Sequence, residues 1–203
     1  MAFTLSHSTA LLLIDFQKDF VGATLPVINT AEILPCAKQV LAAARQAKLP
    51  IIHTQEIHRK ELVDFGRELD GAEPVHCLEH WPGSQFYPEL TPVDGEFIIT
   101  KRRYSAFFAT DLEILLKGLQ IKTVVLMGAL TNVCVHYTAL DAHQHDYHFH
   151  VLEDCCIGSD EAAHEAALRA MMYLQRRSRI KSFEFITATQ PSPTVMPSGG
   201  QRV

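Results

Sequence analysis

Short apolar segments alternate with helical segments along this chain, and this order predicts an α/β fold. Residues 10–14 form a continuous apolar run of strand length, which is typical of a strand buried on both faces of a parallel sheet. Segments of helical length separate this run from further strand-like segments, with no internal repeat and no interdomain linker. We therefore predict a three-layer sandwich in which helices cover both faces of a mostly parallel sheet.

Six strands are predicted from apolar and β-branched runs that end at polar or turn residues. The first run is followed at once by an acid, Asp15, and the fourth is broken by Gly128. In chain order the predicted strands are 10–14, 50–53, 96–100, 124–127, 147–152 and 183–187.

The helices are predicted from apolar residues at helical spacing and from signals at the helix ends. Thr110 is the candidate N-cap of the second helix, and Gly118 ends that helix. Acids occupy the first turn of the last predicted helix and arginines follow its end, as the helix dipole favours. In chain order the predicted helices are 31–48, 111–117, one that begins near 133, and 160–174.

Length and composition are those of one globular domain. The 203 residues are 47% hydrophobic and 20% charged, which provides enough apolar sequence for a full core. We assign residues 1–189 to a single domain. Residues 190–203, rich in Pro, Ser and Gly, form a tail that we expect to pack on a neighbouring subunit of a dimer or tetramer.

Charge and cysteine content argue against several classes of partner. The formal net charge of −5 disfavours a nucleic-acid partner, which would need a basic face. No apolar stretch approaches the ~20 residues that span a membrane. Five cysteines without a regular framework, and an N-terminus unlike a signal peptide, favour the reducing cytoplasm. We expect a cytoplasmic protein whose partner is a small molecule.

Cys134 lies where an apolar strand turns into a helical pattern, and it is the most informative residue of the chain. Unpaired backbone N–H groups and the helix dipole at such a position favour thiolate, lowering the pKa below the free value of about 8.5. The same N–H groups can hold an oxyanion formed by thiolate attack on a carbonyl. On this junction alone, a small residue that only packs the helix against the sheet is an equal alternative.

Two charged residues end other predicted strands. Asp15 follows the run 10–14, and Lys101 follows the run 96–100. The carboxyl ends of parallel strands meet at the edge where ligands bind in open α/β sheets. The sequence therefore predicts an acid, a base and a thiol at one edge of the sheet.

These segments resemble those of the isochorismatase-like cysteine hydrolases, a family that includes nicotinamidase, N-carbamoylsarcosine amidase, biuret hydrolase and ureidoacrylate hydrolase. The matching motifs lie at 11–17, 101–107 and 128–135, and the resemblance runs from about residue 8 to about residue 188. It implies a Rossmann-like parallel sheet and a catalytic triad of Asp15, Lys101 and Cys134. It also implies a cis peptide at Ala129–Leu130 and an oxyanion hole formed by the N–H groups of Leu130 and Cys134.

Several residues near these motifs are candidates for substrate binding. Arg102 could hold a carboxylate or carbonyl oxygen. Arg102 and Arg103 are consecutive residues at a strand end and point opposite ways, so they cannot both face the site. Thr131 belongs to the nucleophile segment. The candidates for an aromatic wall around a small flat amide are Phe16, Phe20, Trp81 and Tyr104.

The resemblance implies hydrolysis of the C–N bond of a small planar amide or ureide through a cysteine thioester. Segments 67–71 and 101–107 are more similar to the ureide-type members, which cleave biuret-like or carbamoyl substrates. Two alternatives stay open. One is a nicotinamidase-type hydrolase of a pyridine carboxamide with a metal site, and the other is a catalytically silent binding or scaffold protein.

The long connection between residues 54 and 94 carries candidate metal ligands. By the resemblance, Glu56, His58 and His76 fall where nicotinamidases carry an Asp-x-His pair and a further histidine. Glutamate in place of aspartate moves the ligating oxygen by one methylene. We expect no cofactor, because thiolate, acid and oxyanion hole already supply each chemical step.

Overall fold

A wholly parallel, six-stranded sheet forms the centre of the molecule. The computed structural model describes residues 3–22, 24–25, 27–28, 30–71 and 73–190. Its strands are β1 (Thr9–Ile14), β2 (Ile51–Glu56), β3 (Phe97–Lys101), β4 (Thr123–Ala129), β5 (His148–Ile157) and β6 (Arg179–Ile180). They are ordered β3-β2-β1-β4-β5-β6, and every pairing is parallel.

Helices cover both faces of the sheet, which confirms the predicted fold class. Within the described residues the α-helices are α1 (Thr30–Gln46), α2 (Leu112–Gly118), α3 (His136–Gln144), α4 (Glu161–Leu174) and α5 (Ser182–Thr189). Helix α1 packs against α5, and α3 packs against α4. Because the crossovers between parallel strands are right-handed, these two pairs lie on opposite faces of the sheet.

The strand order reverses between β1 and β4, and this switch point fixes where a ligand can bind. At the carboxyl edge Ile14 of β1 lies beside Gly128 of β4. On the other side of β1, Glu56 of β2 lies beside Lys101 of β3. The residues that end these strands are therefore brought to one edge by sheet register alone.

Gly128 is required by the close approach of β4 to β1. Its φ is +145°, and a Cβ built on it would lie 2.0 Å from the carbonyl oxygen of Ile14. The peptide bond between Ala129 and Leu130 is cis, as the resemblance predicted. This irregular end of β4 leads directly into the turn that carries Cys134.

The prediction of a strand at 183–187 is wrong, because this segment is helix α5. The carboxylate of Asp154 accepts hydrogen bonds from the backbone N–H and hydroxyl of Ser182, and Glu184 accepts one from the Lys181 N–H. These contacts satisfy N–H groups at the helix start, and they outweigh the strand propensity of the apolar residues. The last strand is the short β6 just before it.

The helix predicted near 133 begins with a π-helical turn, Thr131–Val135, and continues as α3. Its buried side consists of Val135, Thr138 and Ala139, whereas Tyr137 is half exposed. The side of α3 that carries Tyr137 is therefore not its core face. Strands β2 and β5 also extend further than predicted.

Among the residues that the structure describes, no helix is both long and apolar enough to cross a membrane. Residues 191–203, nearly the whole predicted tail, lie outside the described residues. Its packing on a neighbouring subunit stays a prediction, as do the oligomeric state and the cytoplasmic location.

Candidate active site

The three residues predicted as a catalytic triad meet at the carboxyl edge of the sheet. Asp15 follows β1, Lys101 ends β3 and Cys134 lies in the turn after β4, and each is at most 2% exposed. The Lys101 Nζ lies 2.7 Å from Asp15 Oδ2 and 3.5 Å from Cys134 Sγ. A carboxylate oxygen of Asp15 and the Cys134 sulfur lie within 4.8 Å of each other. An acid, a cation and a thiol thus share one buried space.

Thr54 of β2 holds Asp15 in place. The Asp15 N–H donates to Thr54 Oγ1 at 3.0 Å, and the Thr54 hydroxyl donates to Asp15 Oδ1 at 2.5 Å. Asp15 has a positive φ of 49°, a conformation that aspartate tolerates better than most residues. The sequence did not indicate this role for Thr54, since nothing in a single strand reveals its neighbour across the sheet.

Lys101 is held as a cation by carboxylates on two sides. It forms ion pairs with Asp15 and with Glu56, and it donates to the Arg103 carbonyl at 3.0 Å. Burial alone would lower the pKa of Lys101, but Asp15, Cys134 and Glu56 together raise it well above its ordinary value. Lys101 is therefore suited to stabilise negative charge and unsuited to serve as a base.

Cys134 and Asp15 are both shifted towards their neutral forms. Burial raises the pKa of the Cys134 thiol well above its ordinary value, and Lys101 only partly opposes this. Burial likewise raises the pKa of Asp15 against the opposing charge of Lys101. The lowered thiol pKa expected from the sequence is wrong for the resting site, because full desolvation outweighs the helix start. The thiol therefore needs a base to become a nucleophile.

A cavity of about 380 Å³ lies beside this triad. Leu130, whose N–H is predicted to belong to the oxyanion hole, forms part of its wall, as does the predicted substrate contact Tyr104. Burial raises the pKa of the Tyr104 hydroxyl above its ordinary value. The full lining is Leu25, Glu68, Gly71, Glu73, Tyr104, Leu130, Asn132, Val133, Tyr137 and Ser159.

The other predicted aromatic contacts lie away from the lining of this cavity. Phe16 and Phe20 are buried in the core, and the edge of Phe20 packs against His76 with ring centroids 5.3 Å apart. Trp81 is 47% exposed, beside the turn Pro82–Ser84. Of the predicted aromatic contacts, Tyr104 alone lines the cavity, and Tyr137 is the second aromatic residue of its wall.

Arg102 and Thr131 are also engaged elsewhere. The Arg102 guanidinium donates to the Ile57 carbonyl and lies 3.1 Å from Asp64 Oδ2. The Thr131 hydroxyl is buried and lies 2.9 Å from His164 Nδ1. Both placements favour structural roles, Arg102 in fixing the loop after β2 and Thr131 in fixing the nucleophile turn to α4.

The candidate metal ligands converge, and Glu68 joins them. One donor atom from each of Glu56, His58, Glu68 and His76 lies within 4.8 Å of the others, and all four residues are buried. His76 Nε2 lies 3.0 Å and His58 Nε2 lies 3.4 Å from Glu56 Oε1. We call these four residues the donor cluster. No motif in the sequence indicated Glu68, because nine residues separate it from His58.

The donor cluster fits a divalent ion. Both carboxylate oxygens of Glu68 and the His58 Nδ1 are buried without a hydrogen-bond partner among the described residues. Burial, together with the charge of Glu56, raises the pKa of Glu68 to about 8. The pKa of His76 is also raised, to about 9, because Glu56 favours its charged form against the effect of burial. Two carboxylates and two imidazoles are a donor set suited to zinc or a similar ion.

Gln17 ties the loop that carries the donor cluster to the sheet. Its Nε2 donates to the carbonyls of Glu56 at 2.7 Å and Ser84 at 2.8 Å, and its Oε1 accepts from the Glu56 N–H at 2.8 Å. The side chain is fully buried. Gln17 thus holds the ends of β1 and β2 together, a positioning role that its place in the motif 11–17 did not reveal.

Comparison with known proteins places the chain in a family. The sequence profile of the isochorismatase domain matches residues 9–183. A maleamate amidohydrolase of Pseudomonas putida is 32% identical over 163 residues, covering 78% of this chain and 76% of that protein. A ureidoacrylate amidohydrolase of Cronobacter sakazakii is 28% identical over 171 residues, covering 73% of this chain and 74% of that protein.

A solved structure is similar over almost its whole length. The pyrazinamidase of Pyrococcus horikoshii, determined in complex with zinc, has a TM-score of 0.77 and 30% sequence identity. The match covers 86% of this chain and 99% of that one. With the profile match over 9–183 and the parallel sheet that carries Asp15, Lys101 and Cys134 at one edge, this chain belongs to the isochorismatase family of hydrolases.

Proposed function

We propose that the protein hydrolyses the C–N bond of a small planar amide or ureide through a thioester on Cys134. The observation that carries this proposal is the buried contact of Asp15, Lys101 and Cys134 beside a cavity of small-molecule size. The relatives named as maleamate and ureidoacrylate amidohydrolases support amide chemistry. The ureide preference rests on sequence resemblance alone.

The first step forms the thioester. The Asp15 carboxylate takes the proton of the Cys134 thiol, and the thiolate attacks the carbonyl carbon of the substrate. The negative charge moves to the carbonyl oxygen, which the N–H groups of Leu130 and Cys134 would stabilise. The tetrahedral intermediate then collapses as the C–N bond breaks. Asp15 returns the proton to the leaving nitrogen, which departs as ammonia or an amine.

The second step regenerates the enzyme. A water molecule gives its proton to Asp15 as its oxygen attacks the thioester carbon. The C–S bond breaks, the sulfur takes the proton from Asp15, and the carboxylic acid product leaves. Asp15 therefore alternates between base and acid, for which a pKa raised above its ordinary value is favourable. Lys101 keeps its proton throughout and stabilises whichever of Asp15 and Cys134 is negative.

Ammonia release from a panel of biuret, ureidoacrylate-like, carbamoyl and pyridine carboxamide substrates tests the proposal, with rapid quench and intact-mass analysis to detect the thioester. We expect an acyl adduct on Cys134 that disappears at the rate of turnover. Cys134→Ser should abolish the adduct, whereas Cys36→Ser, which changes a partly buried thiol outside the site, should retain both adduct and turnover. Turnover by Cys134→Ser at a tenth of the wild-type rate would exclude the thioester mechanism.

A second candidate is hydrolysis of a pyridine carboxamide, and the donor cluster is the observation that favours it. Glu56, His58, Glu68 and His76 would hold a divalent ion, and the likeness to a zinc-bound pyrazinamidase supports this assignment. When bound, the ion would supply a Lewis acid able to bind a ring nitrogen or an oxygen of the substrate. The residues that make and break bonds would remain those of the triad.

Removal of the ion separates the two candidates. After dialysis against a strong chelator, we expect hydrolysis of linear ureides to survive, because the triad supplies nucleophile and proton transfer. Hydrolysis of a pyridine carboxamide should fall if the ion anchors the ring nitrogen. Elemental analysis that finds one tightly bound ion per chain, together with loss and recovery of all activities as it is removed and restored, would favour the second candidate.

A further inference from the structure

We propose that the cavity beside Cys134 selects amides whose distal group carries no negative charge, and that it favours a cationic one. Glu73, Tyr104 and Tyr137 would form the subsite for that distal group. This inference rests on the proposed function, since it concerns the substrate of the same site. It narrows the substrate class from any small amide to neutral or cationic ones.

The three subsite residues provide the groups that recognise an ammonium or a similar cation. Glu73 contributes a carboxylate to the cavity lining and is partly exposed. The Tyr104 and Tyr137 rings lie with centroids 5.6 Å apart and an interplanar angle of 42°. Tyr137 is 49% exposed, so it lies at the mouth of the cavity. Tyrosine faces next to a carboxylate attract a cation by both cation–π and ionic interaction.

The described lining offers no cationic side chain to pair with an anion. It contains two carboxylates, Glu68 and Glu73, and no lysine, arginine or histidine. The nearby cation Lys101 is already paired with Asp15 and with Glu56.

The two arginines after β3 are directed elsewhere. The Arg102 side chain donates to the Ile57 carbonyl, and the Arg103 side chain donates to the carbonyls of Asp64 and Arg102. Neither side chain lines the cavity. A substrate carboxylate would therefore meet Glu73 without an arginine to neutralise it.

The carboxyl group of Glu73 is separate from the donor cluster, and burial raises its pKa while the nearby His76 opposes that rise. Glu73 is not one of the four donors, whereas Glu68 is. His76 approaches Glu73 at 4.0 Å but lies closer, at 3.0 Å, to Glu56. An ion in the cluster would neutralise Glu56 and Glu68 and would leave Glu73 as the carboxylate of the cavity mouth.

Alkylation of Cys134 by reagents of different charge measures this selectivity without knowledge of the natural substrate. The reagents are iodoacetate (anionic), iodoacetamide (neutral) and 2-bromoethylamine (cationic), and the labelling of Cys134 is followed by peptide mass spectrometry. Each rate constant is divided by that of N-acetylcysteinamide, so that the intrinsic reactivity of the reagents cancels. We expect the iodoacetate-to-iodoacetamide ratio at Cys134 to be about tenfold below the reference ratio. This factor corresponds to the repulsion between the reagent's negative charge and one carboxylate about 6 Å away, in an effective dielectric constant of about 40.

Two variants test whether Glu73 causes the charge selectivity of labelling. Glu73→Gln should bring the ratio to within about twofold of the reference and should lower the relative rate of 2-bromoethylamine. Glu89→Gln makes the same change of charge on an exposed residue outside the lining, and it should leave all ratios unchanged. A wild-type ratio equal to or above the reference, or a ratio that Glu73→Gln does not move, would overturn the inference.

Hydrolysis of maleamate and of maleamide separates this inference from the proposed function. The two compounds share a skeleton, and maleamide carries a neutral carboxamide where maleamate carries a carboxylate. We expect kcat/KM to be at least about tenfold higher for maleamide. Faster hydrolysis of maleamate would refute the charge selection and leave the amidohydrolase proposal standing. Charge-selective labelling without hydrolysis of any amide would refute the proposed function alone, and a Cys134 that no reagent labels would refute both.

Discussion

Replacing Lys101 with methionine removes a buried cation and leaves two buried carboxylates, Asp15 and Glu56, without their shared partner. All three side chains are at most 1% exposed. Breaking a buried ion pair costs about 3–5 kcal/mol, because the remaining charge stays desolvated. Two remaining carboxylates put the expected loss at the upper part of that range. For a chain of this length such a loss corresponds to a fall in Tm of about 10 °C or more.

The pH dependence of the loss identifies its cause. In Lys101→Met the folded-state pKa of Asp15 should lie further above its unfolded value, because burial is no longer opposed by a cation, whereas Glu56 keeps its contact with His76. The destabilisation is then complete above the folded pKa of Asp15 and shrinks as pH falls towards about 4, where the unfolded carboxyl also becomes protonated. Urea unfolding followed by circular dichroism between pH 4.5 and pH 8 measures this.

Lys117→Met provides the matched control. Lys117 is largely exposed and pairs with Glu113 one helical turn away, so its loss should change the free energy of unfolding little at any pH. If Lys101→Met were destabilised by less than 1 kcal/mol at pH 7, or equally at both ends of the pH range, the buried charges could not be arranged as the structure has them.

Three further predictions concern the proton transfers and the packing of the site. Asp15→Asn should block formation of the thioester itself, and a full burst in a rapid-quench measurement would instead confine Asp15 to the second step. Because burial raises the pKa of Asp15, the acidic limb of the kcat/KM profile should lie above the ordinary aspartate value of about 3.9, with the rate falling as pH falls through it. Gly128→Ala should lose at least about 3 kcal/mol in urea unfolding, since its Cβ would meet the Ile14 carbonyl, whereas Gly118→Ala has open space and should be close to neutral.

The sequence predicted the fold well wherever a segment was long and uniformly apolar. The apolar runs at 10–14 and 124–127 lie in strands β1 and β4, and the alternation of strands and helices predicted the parallel sheet. The prediction of a strand at 183–187 was wrong because Asp154 decides the conformation of this segment. Asp154 lies 28 positions before Ser182 and accepts hydrogen bonds from it at the start of α5. The secondary-structure propensities of residues 183–187 give no information about that contact.

The part of the site that lies at strand ends could be predicted from the sequence. Asp15, Lys101 and Cys134 follow apolar runs, so parallel pairing alone brings them to one edge. Glu68 and Glu73 lie on a loop whose path depends on hydrogen bonds such as those of Gln17, and no period or spacing indicates it. Tyr137 also lines the cavity, on the exposed side of α3 after the π-helical turn, and its position in the sequence did not indicate this.

The buried charges of the site are tolerated because each has an opposite neighbour. Lys101 lies between Asp15 and Glu56, and the other oxygen of Glu56 contacts His76, so negative and positive groups alternate across the carboxyl edge. The sheet register brings Glu56 and Lys101 next to each other, because they are paired residues of β2 and β3. Glu68 stands outside the alternation, which explains why its carboxylate has no hydrogen-bond partner among the described residues and why burial and Glu56 raise its pKa to about 8. At that point the site lacks one positive charge, which either a proton on Glu68 or a divalent ion in the donor cluster would supply.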